Sequence, residues 1–88
     1  MFILVNYSDD FGLEHCGNFE TRKETFEYIA DSVCEFYADV DIMSYYPFDN
    51  MEDSVVYECD NVQVSVGNNW CNCIKWNKHY DNWLIIEI

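Results

Sequence analysis

The sequence predicts an α+β fold in which one amphipathic helix packs on an antiparallel β-sheet of about five or six strands. Three observations predict it: two patterned runs joined by a turn at the N-terminus, a stretch of helical periodicity after them, and short strand-like runs separated by turn residues in the second half. The 88 residues hold only three glycines and one proline, without repeats or linkers. We therefore expect a single domain over residues 1–88, built from an N-terminal hairpin, a helix and a C-terminal meander.

The N-terminal hairpin is predicted from residues 2–19. Residues 2–7 (FILVNY) are an apolar run of strand length, and the polar segment 8–12 provides a turn into a second strand over about 13–19. Neighbouring side chains on a strand point to opposite faces of the sheet. His15 and Cys16 are therefore not expected to meet.

The helix is predicted from its first turn and from its apolar period. Thr21 and Glu24, three residues apart, match the capping box, in which each side chain satisfies a backbone N–H at the start of a helix. Spacings of three and four residues predict that the helix continues to about Asp39 with one apolar face. The predicted members of that face are Phe26, Ile29, Ala30, Val33, Phe36, Tyr37 and Val40.

The sequence pattern in the second half of the chain predicts an irregular segment followed by a meander of strands. Residues 41–53 carry no clear period and contain an aromatic loop, Tyr45, Tyr46, Pro47 and Phe48. Strands are then predicted over 54–59, 62–66, 70–76 and 83–88. Turn residues separate them at 60–61, 67–69 and 77–82.

The composition points to a basic partner. Seventeen Asp and Glu stand against four Lys and Arg, a formal net charge of -13, whereas solubility alone needs a magnitude of only about 2 to 8. Nucleic acid and anionic lipid carry the same sign of charge, so direct binding to either is disfavoured. A basic protein surface is favoured, and no cofactor is expected.

Acidic residues form one stripe along the predicted helix. They are Glu20, Glu24, Glu27, Asp31, Glu35 and Asp39. At about 100° per residue, spacings of three and four place them in a sector of about 120° opposite the apolar face. Like charges four residues apart destabilise a helix by a few tenths of a kcal/mol per pair. The stripe therefore opposes stability, which favours a role in binding over a plain solvated face.

A row of carboxylates resembles the phosphate array that a nucleic-acid-binding groove accepts. In its size, its charge and the acid-striped helix over residues 20–39, the chain resembles phage-encoded inhibitors of host defence, including anti-CRISPR proteins and DNA mimics. The resemblance implies that the chain blocks the basic groove of a nuclease such as a Cas effector, inside the host cell. It includes no diagnostic motif, so it assigns no role to individual residues.

Two other binding hypotheses remain open. In one, an antitoxin-like or assembly protein binds its basic partner through the aromatic loop, with Tyr45 and Tyr46 as anchors. In the other, Cys71, Cys73 and His79 hold a structural zinc ion. Zinc knuckles usually separate paired cysteines by two or more residues, so we predict no metal ligands. Asp49–Asp53 likewise lacks the spacing of a calcium loop.

Catalysis and membrane insertion are not expected. The chain has no glycine-rich phosphate loop and no nucleophile elbow, and its acidity disfavours a reactive thiolate. No apolar run approaches the roughly 20 residues of a membrane span. Five cysteines without a visible signal peptide are typical of reduced thiols, so we expect a cytoplasmic protein.

Overall fold

A computed structural model describes residues 1–48 and 54–88 of the chain. One helix packs on a six-stranded antiparallel sheet, so the predicted class is confirmed. The helix α1 is Arg22–Phe36, and the strands are β1 (Phe2–Ser8), β2 (Gly12–Phe19), β3 (Val55–Cys59), β4 (Val62–Gly67), β5 (Trp70–Lys75) and β6 (His79–Glu87). Residues 49–53 of the segment predicted to be irregular lie outside the described residues.

The strand order is β2-β1-β6-β5-β4-β3. The hairpin β1–β2 and the meander β3–β6 are both present, and β6 joins them by pairing with β1. Leu4 on β1 lies opposite Gly17 on one side and Ile85 on the other. The strand β1 is therefore central, and β2 and β3 are the edges of an open sheet.

The tight turns between the meander strands follow from backbone conformation. Asp60 and Asn61 both have positive φ, 52° and 68°, the geometry that suits a two-residue hairpin turn and that Asp and Asn tolerate. Trp76 and Asn77 repeat it with φ of 56° and 55°. The predicted turn over 77–82 was wrong, because β6 already begins at His79 and pairs with β5 directly after this tight turn.

The helix α1 begins as predicted. The Thr21 hydroxyl accepts a hydrogen bond from the Glu24 N–H at 3.2 Å and donates one to the Glu24 carboxylate at 3.1 Å. It ends at Phe36, not at Asp39, because the N–H groups of the next two residues both turn back to the Val33 carbonyl, at 2.9 and 3.1 Å. Such converging bonds satisfy the last carbonyls and stop the helix.

One face of α1 lies across β1, β2 and β6 and forms the core. Phe26, Ile29 and Val33 are fully buried, as predicted. Phe36 was placed on the same face but is 59% exposed, because it is the last helical residue and lies beyond the part of the helix that covers the sheet. Burying each large apolar side chain contributes about 1.5–3 kcal/mol to the free energy of unfolding.

The aromatic loop is mainly a packing element. A short 3-10 helix over Ile42–Tyr45 precedes it, capped by the Asp41 carboxylate, which accepts from the Met43 N–H at 3.1 Å. The ring centroid of Phe48 lies 4.5 Å from that of Phe26. The loop thereby covers the end of the core beside the helix.

The sheet face opposite α1 is open to solvent and nearly free of charge. Side chains alternate along a strand, and no Asp or Glu of the described strands β1, β2, β4, β5 and β6 points to this outer face. Exposed apolar side chains lie there instead, including Tyr7, Leu13, Leu84 and Ile86. Most of the acidic groups of residues 1–48 and 54–88 therefore lie on the helix side and in the turns.

Membrane crossing through a helix is not seen in the residues that the structure describes. The only α-helix among them has 15 residues. It lacks the length and the apolar character that a membrane span requires.

Candidate partner-binding surface

The six acids of the predicted stripe all lie at the surface, but only four of them lie on α1. These four are Glu24, Glu27, Asp31 and Glu35. Glu20 precedes the N-cap residue, and Asp39 follows the helix end, so the prediction of six helical positions was wrong at both ends. The helical stripe has spacings of three and four residues, a separation of about 4.5 to 6 Å along the axis.

The stripe carries uncompensated negative charge. Across residues 1–48 and 54–88, no ion pair joins a Lys, Arg or His to any of the six carboxylates; the ion pair seen there links His79 to Asp9 at 3.1 Å. Arg22, at the helix start, donates to the Asn68 carbonyl at 3.1 Å. A partner that brings cations to the stripe therefore meets carboxylates that have no cationic partner among the described residues.

The two tyrosines predicted as anchors differ in exposure. The side chain of Tyr45 is 44% exposed, and its hydroxyl lies 3.5 Å from the Val56 carbonyl oxygen. Tyr46 is half-buried, with its ring centroid 5.6 Å from that of Phe48 and 6.1 Å from that of Phe26. No hydrogen bond or ring contact joins the loop to the stripe in the described residues, although Met43, in the short helix that leads into the loop, lines a shallow groove together with Glu27 and Asp31.

A pocket of about 450 Å³ lies beside the stripe, on the helix side of the sheet. Its floor is formed by the β6 residues Asp81 and Trp83 together with Asn6 of β1. The Asn6 amide donates to Asp81 Oδ1 at 3.2 Å, and the Tyr37 hydroxyl donates to Asp81 Oδ2. Burial and the bond to Asp81 raise the pKa of Tyr37, so the hydroxyl stays protonated and holds the carboxylate in place.

Exposed aromatic side chains form the rim of this pocket. Phe11, in the β1–β2 turn, is 77% exposed, and Trp76, in the β5–β6 turn, is 53% exposed. The exposed Phe36 completes the rim from the end of α1. The sequence analysis missed these residues. The signal available was a phenylalanine in an otherwise polar turn, Asp9–Gly12, and a tryptophan next to the turn residue Asn77.

The pocket is also charged. Asp10, Glu14 and Asp81 line it, against one lysine, Lys75. The Lys75 Nζ atom lies 4.6 Å from the ring centroid of Trp76. This arrangement already places a cation on one aromatic wall, as expected from the attraction between a cation and the face of an indole.

The three residues of the zinc hypothesis do not converge on one point in the structure. Cys71 and Cys73 are buried on the face of β5 that turns toward α1, whereas His79 is exposed and bonds to Asp9. A hydrogen bond that the Cys73 thiol donates to Cys71, together with burial, raises the pKa of Cys73 and disfavours the thiolate that zinc needs. The ligand atoms of Asp9, Asp10 and His79 do lie within 4.8 Å of one another, all on exposed residues.

His15 and Cys16, which are adjacent on β2, make separate contacts. His15 Nε2 bonds to the Asn18 amide oxygen at 2.8 Å. Burial and the nearby Glu14 raise the pKa of the Cys16 thiol. A raised pKa keeps a thiol protonated and weakens it as a nucleophile.

Comparison with protein-family models, with curated proteins and with solved structures finds no match to this chain.

Proposed function

We propose that this chain is an acidic binding protein that inhibits a nucleic-acid-binding protein by occupying its basic groove. The observation that carries the proposal is the exposed stripe on α1, whose carboxylates have no cationic partner in the described residues. Inhibition follows from binding and not from catalysis. The resemblance to anti-CRISPR proteins and DNA mimics makes a Cas nuclease the first partner to test.

The spacing of the stripe supports this proposal. Its helical carboxylates follow one another at about 4.5 to 6 Å, compared with one phosphate per about 3.4 Å along one strand of DNA. The stripe is thus a sparser array of the same sign. Arginine side chains that grip phosphates bind carboxylates equally well, often with two parallel hydrogen bonds.

The energetics of the helix support the same conclusion. Glu27, Asp31 and Glu35 are successive members at i, i+4, and each such like-charged pair destabilises the helix by about 0.2–0.5 kcal/mol. A mixed Glu–Lys face would stabilise it by a similar amount. A basic groove that approaches this face relieves the repulsion, so part of the binding free energy comes from the free protein's own strain.

A competition assay tests the proposal directly. A Cas effector or another basic nuclease is loaded with fluorescent nucleic acid, and the chain is added while anisotropy is measured. We expect displacement of the nucleic acid at about 50 mM salt, and we expect the affinity of the chain for the nuclease, measured without nucleic acid, to be at least about tenfold weaker at 200 mM, because exposed charges are screened. Binding that leaves the nucleic acid in place, or that ignores salt, contradicts occupation of the groove.

Tyr45 separates this proposal from the aromatic-loop hypothesis. Because Tyr46 and Phe48 pack into the core, replacing them by alanine would disturb the fold, whereas Tyr45 is accessible. We expect Tyr45→Ala to change partner affinity by less than about threefold, since removing one rim side chain is usually near neutral. A loss of about a hundredfold in the same assay would assign the interface to the loop, as an antitoxin-like or assembly module requires.

A further inference from the structure

We infer that the aromatic-rimmed pocket beside α1 is a binding site for a cationic side chain, an arginine or lysine that the partner inserts. The inference rests on the proposed function, because it assigns an anchor to the same basic partner. The pocket has about 450 Å³, within the range of sites that hold small ligands. An arginine side chain is much smaller than this volume.

The chemistry of the floor favours a positive charge. Asp81 is held by hydrogen bonds from Asn6 and Tyr37, one to each carboxylate oxygen. A carboxylate has about four lone-pair positions, so two remain for a ligand. Both donors are neutral groups. They hold the Asp81 carboxylate in place but do not neutralise its negative charge.

The walls favour the same ligand. Phe11, Phe36 and Trp76 present exposed rings around the opening, and aromatic faces attract cations within about 6 Å. Lys75 shows that the Trp76 ring accepts an ammonium group, at 4.6 Å. With Asp10 and Glu14 at the opening, the acids of the pocket outnumber Lys75, which leaves a net attraction for a further cation.

The pocket and the stripe belong to one surface. Tyr28, Ser32 and Phe36 line the pocket, and each follows a stripe residue directly in the sequence: Glu27, Asp31 and Glu35, respectively. One residue along a helix is a rotation of about 100°. A partner that covers the stripe and extends by this rotation around α1 reaches the pocket, and a buried arginine there has the properties of an interface hot spot.

The test uses N-acetyl-arginine amide as the probe and N-acetyl-citrulline amide, its neutral analogue, as the matched control. Two-dimensional NMR of the ¹⁵N-labelled chain follows the backbone amides and the three tryptophan indoles. We expect saturable shifts at Trp76, Trp83 and Asp81 with arginine in the millimolar range, and binding of citrulline at least about tenfold weaker. Equal shifts with the two probes, or none with arginine, overturn the inference.

Two variants locate the effect. Asp81→Asn keeps the side-chain shape and is expected to weaken arginine binding by about tenfold, whereas Glu87→Gln, six residues farther along β6 and outside the pocket lining, leaves it within about twofold. Trp76→Asn suits the positive φ at that position and removes the aromatic wall without touching the core, so it tests the pocket even if Asp81→Asn fails to fold. Unchanged arginine binding in Trp76→Asn overturns the inference.

The two proposals fail separately. If the chain displaces nucleic acid from a basic nuclease but arginine amide does not enter the pocket, the inference about the pocket is wrong and the proposed function is supported. If arginine amide binds as expected but no basic protein is displaced from its nucleic acid, the proposed function is wrong and the pocket remains a cation site.

Discussion

Phe26→Ala is expected to lower the free energy of unfolding by about 3–5 kcal/mol, measured by urea denaturation. Phe26 is fully buried and its ring contacts those of Phe48 and Tyr46, at centroid distances of 4.5 and 6.1 Å. Truncation removes this aromatic contact and leaves a cavity between α1 and the loop that follows it. The total free energy of unfolding of a chain of this length is only about 4–13 kcal/mol. The variant therefore retains little stability.

Phe36→Ala is the matched control, because it makes the same change on the same helix at a residue that is 59% exposed. We expect it to alter the free energy of unfolding by no more than about 0.5 kcal/mol. Equal losses in the two variants would mean that Phe36, as the sequence suggested, packs in the core.

Reversal of two central stripe charges, Asp31→Lys with Glu35→Lys, is expected to weaken binding to the basic partner by about a hundredfold at low salt. Each change replaces an attraction by a repulsion between like charges. Across an interface, such a repulsion weakens the binding free energy by several kcal/mol. The fold should tolerate both changes, because the two side chains are exposed and lysine is a good helix former. Titration of the nuclease by anisotropy measures the loss.

Glu58→Lys with Glu87→Lys provides the control of equal charge. Each pair of reversals adds four units, which takes the formal net charge from -13 to -9. Both control residues are exposed and lie on strands of the sheet, not on α1. We expect this control to lose less than about fivefold. If the two pairs weaken binding equally, total charge and not the stripe attracts the partner.

Local signals predicted the elements whose determinants are close in sequence. Thr21 caps the helix because its hydroxyl reaches a backbone N–H only three residues away. The turn at Asp60 and Asn61 follows from the tolerance of Asp and Asn for positive φ. The burial of Phe26, Ile29 and Val33 was also predictable from nearby residues. Because a helix repeats every 3.6 residues, spacings of three and four place these side chains on one face.

The remaining features depend on contacts between distant residues. The helix ends before Asp39 because the chain turns there and sends the Tyr37 hydroxyl to Asp81, 44 residues later in the sequence. Polar residues in the segment 77–82 resembled a loop, but pairing with β1 and β5 makes most of them part of a central strand. Trp76 at positive φ is unusual for a bulky residue, so no local rule placed it at the rim of a pocket.

The scarcity of charge on the outer face of the sheet makes the charge distribution of the molecule asymmetric. Among the described residues, carboxylates lie on the helix side and in the turns and almost none lie on the opposite face of the sheet, so their negative charge forms a dipole directed across the sheet. A positive surface exerts a torque on such a dipole before contact, within a few Debye lengths of about 8 Å each. If the partner is basic as proposed, its field turns the helix side of the molecule forward during approach, which raises the rate of productive encounters independently of the contacts made afterwards.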